Sequence, residues 1–280
     1  VTVLTHTPAL APAFARGAVL SPFKRPRPEA EFPRTPLVLP GLRVDLSRLA
    51  AYERVCGVAT GEDALPLTYP HVLGFPLAMR LMSGRDFPLP LLGLVHTSIE
   101  ITARERLAVH DSYEIAVYVQ GLAPHRRGTQ ATLVTELRGS GGKAVWESRS
   151  TYLARHRTQE GGDGTSVREE RVPGVPLPVV AEWRLGGDVG RRYAAVSGDR
   201  NPIHLHPLTA RPFGFPRAIA HGMWTVARCL AAYGAPAVAH VTAEFRAPVG
   251  LPGVVRYGSE PGRFELRGET GRLHVLGRVS

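Results

Sequence analysis

Asp199, Asn201, His204, His221 and Gly222 lie close together in the last third of the chain. A carboxylate and an imidazole five positions apart suit general acid–base chemistry, the imidazole because its ordinary pKa near 6.5 lets it exchange protons around neutrality. The local sequence frames that pair. Ser197-Gly198 stops a short helical turn over 191–196, since glycine takes the backbone angles that end helices, and this leaves Asp199 on a loop. Asn201-Pro202 is a turn signal that redirects the chain just ahead of Ile203 and His204. After a second turn at 212–216, Met223, Val226, Ala227 and Leu230 recur at spacings of three and four, which predicts a helix over 221–233 with one buried face. Gly222 opens that helix, where free backbone N–H groups carry partial positive charge that suits an oxyanion. Singly, each residue has an ordinary alternative: Asp199 as a turn cap, His204 at a core edge, Gly222 as a packing glycine. Their combination at these spacings is what points to a site.

The run Tyr193-x-x-x-Ser197-Gly198-Asp199-x-Asn201-Pro202-Ile203-His204, followed by Gly214-Phe215 and Ile219-Ala220-His221-Gly222-Met223, resembles the signature of the MaoC-like (R)-specific enoyl-thioester hydratases and dehydratases. Pro66-Leu-Thr-Tyr-Pro70, Gly84-Arg-Asp-Phe-Pro88 and His96-Thr97 further resemble actinobacterial (3R)-hydroxyacyl-thioester dehydratases. The resemblance implies an α+β chain with a tandem, or double, hot-dog fold, each half an antiparallel sheet wrapped around a central helix. It implies reversible hydration of trans-2-enoyl thioesters, with Asp199 and His204 catalytic, Gly222 as oxyanion hole, and Ser197, Asn201 and His221 supporting. The thioester would be carried by coenzyme A or acyl carrier protein, and neither a metal nor a redox cofactor is called for. Two departures bear on substrate range: His206 stands where the family often has an acidic or amide residue, and Leu230 where some relatives place a small hydroxyl.

An internal repeat supplies the elements that must position these groups. Residues 50–57 align with 191–198, so that Tyr52 matches Tyr193, and 96–101 align with 240–245, so that His96 matches His240. Between them each copy carries an apolar segment, 75–82 in the first and 223–230 in the second. Alternating stretches at 97–102, 112–120, 129–138 and 144–155, and again at 241–247, 254–259, 263–267 and 273–279, predict strands after each helix. The organisation read from this is an N-terminal arm over 1–40, partly ordered, and a first hot-dog domain over 41–157. A Gly-, Glu- and Pro-rich linker follows over 158–180, then a second domain with the active site over 181–280. The first copy reads Cys56-Gly57-Val58 where the second reads Ser197-Gly198-Asp199, so it lacks the carboxylate and serves as structural partner and wall of an acyl pocket. His96 and His240, present in both copies although only one carries the acid–base pair, are assigned structural roles.

Composition narrows the alternatives. The net charge of +10 invites a nucleic-acid reading, but only Lys24 and Lys143 are lysines, the arginines are scattered, and no zinc or recognition-helix pattern is present. Basic charge suits an anionic carrier instead. Cys56 and Cys229 sit in apolar contexts, the pattern of a reduced, cytoplasmic protein rather than a disulfide-stapled one. No apolar run is long enough for a membrane span, and the first forty residues lack the charge-then-apolar order of a signal peptide, an amphipathic targeting segment being the weaker reading. A hot-dog thioesterase would carry its carboxylate on the central helix, and 221–233 contains no Asp or Glu. A noncatalytic acyl-thioester binding subunit fits the first copy alone. A chain with both copies forms internally the dimer-like unit of single hot-dog chains, and two such chains can pair further as a homodimer.

Overall fold

A computed structural model describes residues 1–158 and 175–280. In chain order it contains strand β1 (Thr2–Val3), helix α1 (Leu10–Leu20), β2 (Leu37–Arg43), α2 (Leu46–Cys56), α3 (Tyr69–Met82), β3 (Val95–Ala103), β4 (Ser112–His125), β5 (Gly128–Arg138) and β6 (Ala144–Arg155). The second copy runs β7 (Val179–Leu185), α4 (Val189–Ser197), α5 (Pro207–Ala210), α6 (Gly222–Tyr233), β8 (Ala239–Phe245), β9 (Gly253–Glu260), β10 (Arg263–Gly268) and β11 (Leu273–Val279). All eight strands expected from the repeat are present. Together the strands make one eleven-stranded sheet, ordered β1-β2-β4-β5-β6-β3-β8-β11-β10-β9-β7. The sheet is antiparallel except where β1 runs beside β2. Helices α3 and α6 lie against its inner face, one per copy, each with a nearly continuous buried surface. This is the double hot-dog arrangement.

The two copies meet at the centre of the sheet, where β3 pairs with β8 in a register that preserves the repeat. Ile99 faces Ala243, its own counterpart at the offset of 144 that relates His96 to His240, and Glu100 and Glu244 fall one position to either side. On the helical layer α2 packs against α4, with Tyr52 and Tyr193 rings 6.1 Å apart. Both helices end the same way. Gly57 and Gly198 take left-handed conformations (φ +70° and +82°), each donating its N–H to a carbonyl four residues back. Side chains cross the junction to cap the exposed carbonyls: Arg48 Nε donates to the Val196 carbonyl and Trp224 Nε1 to that of Val55, both at 2.9 Å. The duplication thus caps each copy's helix end with a side chain from the other copy and ties down the helix end from which the Asp199 loop leaves.

Three stretches differ from the sequence reading. Residues 10–20, in the N-terminal arm, form a regular helix whose Leu10 reaches Gly198 and whose Phe14 ring meets Phe75 at 6.3 Å. Its apolar residues lack a clean period because Ala13 and Gly17 are the buried contacts, Gly17 lying against Leu91. Strand β2 lies where the sequence predicts no strand, because Pro40-Gly41 interrupts it, and the interruption falls where its pairing with β4 shifts register. Strand β7 begins at Val179, inside the stretch read as linker. It is an edge strand whose valines are exposed, so it shows no inward–outward alternation at its start. The remainder of that linker, 159–174, lies outside the described residues.

Substituting Gly198 by alanine forces a Cβ onto a left-handed residue and within 2.4 Å of Leu10 Cδ1. The left-handed backbone alone costs about 1–2 kcal/mol, so a lower denaturant midpoint with an unchanged slope is expected in urea titration. Equal midpoints for Gly198→Ala and the parent chain would contradict the role given to this helix end.

Candidate active site

Four short segments converge beside the N-terminus of α6. The end of α4 carries Ser197, whose hydroxyl donates to the Tyr193 carbonyl at 2.8 Å and accepts the Asp199 N–H at 3.2 Å. Asp199 Oδ1 in turn accepts the Asn201 N–H at 3.1 Å, and Asn201 Oδ1 accepts the Ile203 N–H at 3.4 Å. These successive side-chain-to-backbone bonds shape the turn, and Asn201 caps the 3₁₀ turn Pro202–His204 that delivers the histidine. His206 caps the next helix, its Nδ1 accepting the Leu208 N–H at 3.2 Å, work an acidic or amide side chain can do equally. The segment before α6 is bridged to the loop after β8: Ala220 donates to the Val249 carbonyl, Leu251 donates to that of Ala218, and Ile219 also donates to the Ile203 carbonyl.

That clamp determines the tautomer of His204. Its Nδ1 lies 2.8 Å from the Ile219 carbonyl, and a carbonyl can only accept, so Nδ1 carries the hydrogen and neutral His204 presents a lone pair on Nε2. His221, the residue before α6, is spent differently. Its Nε2 donates to the Asp199 carbonyl at 2.9 Å and lies 3.9 Å from Asp199 Oδ2, while its Nδ1 is enclosed with no partner among the described residues. The two imidazoles stack at 3.7 Å, with Tyr193 at 4.8 Å from His221 on the other side. His221 therefore braces both members of the pair, Asp199 through its carbonyl and His204 through ring contact. The Asp199 side chain keeps 28% exposure against 2% for His221, so a ligand can reach the carboxylate and not the bracing ring.

The electrostatics follow from burial. Desolvation raises the Asp199 carboxyl above the usual range, offset in part by His204 and by the Asn201 N–H. Desolvation lowers His204, offset by Asp199 and the Ile219 carbonyl, and drives His221 well down with a further push from His204. A proton acceptor and a carboxylate whose affinities are brought toward each other make a pair that can pass protons either way. Donor atoms of Asp199, His204 and His221 lie within 4.8 Å of one another, the separation a metal could span. However, the His221 nitrogen that faces Asp199 is already an N–H donor, which leaves two ligands where zinc centres use three or four protein groups.

Gly222 is the first residue of α6, so its N–H has no carbonyl four residues back to receive it. A Cβ there would stand 2.8 Å from the Phe245 ring, so the phenyl covers the Cα and only glycine fits without a shift. Gly190 is as constrained, since a Cβ on it would lie 2.0 Å from the His204 carbonyl oxygen. Two groups sequence reasoning did not single out also border the site: Phe245, at the end of β8, and Tyr152 of the first copy. Burial and the charge of Asp199 both push the Tyr152 phenol well up. The only signal for Tyr152 in the sequence is its place on the inward face of an expected strand. His96 and His240, matched by the repeat, are not matched in surroundings. His240 is half-exposed, 3.0 Å from Thr102 Oγ1, whereas the His96 ring lies inside, stacked on Tyr152 at 4.5 Å.

One chain that folds two helix-in-sheet copies into a single sheet is a double hot-dog protein. The family model for the MaoC-like domain matches residues 177–260. The chain is 38% identical over 224 residues to 3-hydroxyacyl-thioester dehydratase X of Mycobacterium tuberculosis, covering 79% of each protein. The crystal structure of HtdX from Mycobacterium tuberculosis superposes with a TM-score of 0.75 at 34% identity, covering 88% of this chain and 99% of that one. A further Mycobacterium tuberculosis protein, described as having a double hot-dog fold, shares the architecture at 13% identity and a TM-score of 0.55, covering 89% and 95%. The chain belongs to the MaoC-like hydratase and dehydratase family.

Imidazole nitrogen NMR tests the tautomer and the coupling. At neutral pH His204 is expected as the Nδ1–H form, protonating only below 6.5, and Asp199→Asn is expected to lower its pKa further by removing the charge that supports protonation. An Nε2–H tautomer, or a rise in pKa on that substitution, would contradict the geometry.

Proposed function

We propose that this protein catalyses the reversible hydration of trans-2-enoyl thioesters to (3R)-3-hydroxyacyl thioesters, with Asp199 and His204 as the catalytic pair. The observation that carries the reading is the bare Nε2 of His204, oriented by the Ile219 carbonyl, beside a reachable Asp199 carboxylate and a helix-start N–H at Gly222. In the hydration direction the two side chains hold a water. His204 Nε2 takes one of its protons as the oxygen bonds to C3. The C2–C3 π electrons move toward the thioester carbonyl, and the negative charge on its oxygen is received by the Gly222 N–H. The proton held on His204 is then relayed by the Asp199 carboxylate to C2, so the water is consumed as C3–OH and C2–H and both side chains return to their starting protonation states. Dehydration is the reverse sequence. Each acid–base group contributes about 10² to 10⁴ in rate, and an oxyanion donor about 2.7–4 kcal/mol. None of these steps calls on a cofactor.

Supporting roles follow from position. Ser197 and Asn201 hold the loop, and His221 braces the pair without exchanging protons. We assign this chemistry to the second copy, 181–280, and the pocket wall to the first, 41–157, which carries Val58 in place of the carboxylate. The carrier is coenzyme A or acyl carrier protein, both anionic and suited to a chain of net charge +10. Among the described residues no helix is long and apolar enough to cross a membrane, which is compatible with our reading of a cytoplasmic enzyme. Since both copies reside in one chain, a homodimer would join complete units rather than complete a site. Thioester hydrolysis is disfavoured by a central helix without a carboxylate.

The test is the loss of conjugated enoyl-thioester absorbance with crotonyl-CoA and a longer enoyl-CoA. Asp199→Asn and His204→Gln are each expected to lower kcat by about 10² or more with no free thiol released. Full activity in either variant would overturn the pair, and thiol release would favour a thioesterase. The pH profile is expected to hold from neutrality to below 6.5 and to fall before 3.8. Burial lowers His204 from the first value and raises Asp199 from the second, and protonating either removes the working form.

A further inference from the structure

Beside Tyr152 and Phe245 stand two histidines that the proposed chemistry does not use. His96 stacks on Tyr152 at 4.5 Å and meets the Phe245 ring at 4.9 Å, and His71, in the first turn of α3, lies parallel to His96 at 6.0 Å. Tyr152 is within electrostatic reach of Asp199, and Phe245 covers Gly222, so these two rings lead from the reacting atoms to the histidine pair. His71 is more than nine-tenths buried, its Nδ1 and the Nε2 of His96 are both sealed from solvent, and neither has a hydrogen-bond partner among the described residues. Leaving two such nitrogens unpaired is destabilising, and an apolar pocket wall would have been made from leucine or phenylalanine. Buried polar atoms without partners in a folded chain call for an explanation.

We propose that His71 and His96 form a polar station in the acyl pocket that hydrogen-bonds a neutral oxygen substituent, a hydroxyl or keto group, on the acyl chain beyond C3. This rests on the thioester reading of the site given above. Burial holds both rings neutral near pH 7, with pKa values lowered to about 4 for His71 and about 3 for His96. A neutral imidazole offers one donor and one acceptor and no fixed charge, so a neutral oxygen matches the pair where a carboxylate or ammonium would not. The first copy, which lost the carboxylate, thereby contributes recognition rather than inert wall. A site built around unpaired polar atoms discriminates against a ligand that lacks the matching group far more strongly than an apolar pocket does.

A series of saturated acyl-CoA thioesters carrying one hydroxyl or keto group at successive positions beyond C3 tests the idea by calorimetric binding, with the matching enoyl-CoA series for kcat/KM. One position is expected to bind at least tenfold more tightly than the unsubstituted chain. His96→Phe and His71→Phe are each expected to bring the two within about twofold while leaving thermal stability equal or higher, because each removes an unpaired buried nitrogen. Equal affinity at every position, or a preference that survives both substitutions, overturns the proposal. Because the saturated thioesters cannot turn over, a binding preference without hydration of any enoyl-CoA or enoyl-acyl carrier protein would support the station and overturn the hydratase reading instead.

Discussion

The hydrogen bond from His204 Nδ1 to the Ile219 carbonyl is the constraint on which the site depends. It fixes which nitrogen of the imidazole is free, and it ties the loop that carries the acid–base pair to the segment that begins α6. The Gly222 N–H and the Nε2 of His204, the proposed oxyanion donor and proton acceptor, are thereby set by one local structure rather than by two independent ones. Without it His204 could present either nitrogen, and Gly222 could drift relative to the pair. Proximity of this kind is where a displacement of about 1 Å costs roughly 10² in rate. The close approach of Gly190 to the His204 carbonyl, and of Phe245 to Gly222, are packing solutions that hold the same two elements in place.

Duplication supplies the rigid frame for that local structure. The β3–β8 pairing, symmetric about Ile99 and Ala243, and the packing of α2 on α4 join the two copies along the sheet and along the helical layer. The two copies then diverge in chemistry: Gly198 is followed by a carboxylate and Gly57 by Val58, although the glycines end their helices in the same conformation. The first copy keeps the helix-end geometry without a carboxylate at the matching position, and its strands place Tyr152 and His96 beside the other copy's proposed site.

The second copy was legible because its constraints are local. Ser197-Gly198, Asn201-Pro202 and Gly222 each act within a few residues, and the spacing of Met223, Val226, Ala227 and Leu230 gives the helix its buried face directly. The repeat was legible because Tyr52-x-x-x-x-Gly57 and Tyr193-x-x-x-x-Gly198 end their helices alike. Contacts made across the chain could not be read: the sequence gives no sign that α1 would cover Gly198, that the Ile219 carbonyl would choose the His204 tautomer, or that His221 would donate to the Asp199 carbonyl. Strand β7 escaped because an exposed edge strand has no alternation to detect, and β2 because Pro40-Gly41 breaks its run. His96 and His240 share a place in the repeat yet differ in burial, since neighbouring strands and helices decide burial and sequence position does not.

The most direct test of the central claim is hydration of crotonyl-CoA in deuterated water, with the product's configuration at C2 and C3 read by NMR. The proposed acid–base pair on one face of the substrate requires syn addition, with hydroxyl at C3 and deuterium at C2 on the same face; the proposed reaction gives the (3R)-3-hydroxy product, and product formation must collapse in both Asp199→Asn and His204→Gln. A (3S) product, deuterium delivered to the opposite face, or undiminished formation in either variant would contradict the account.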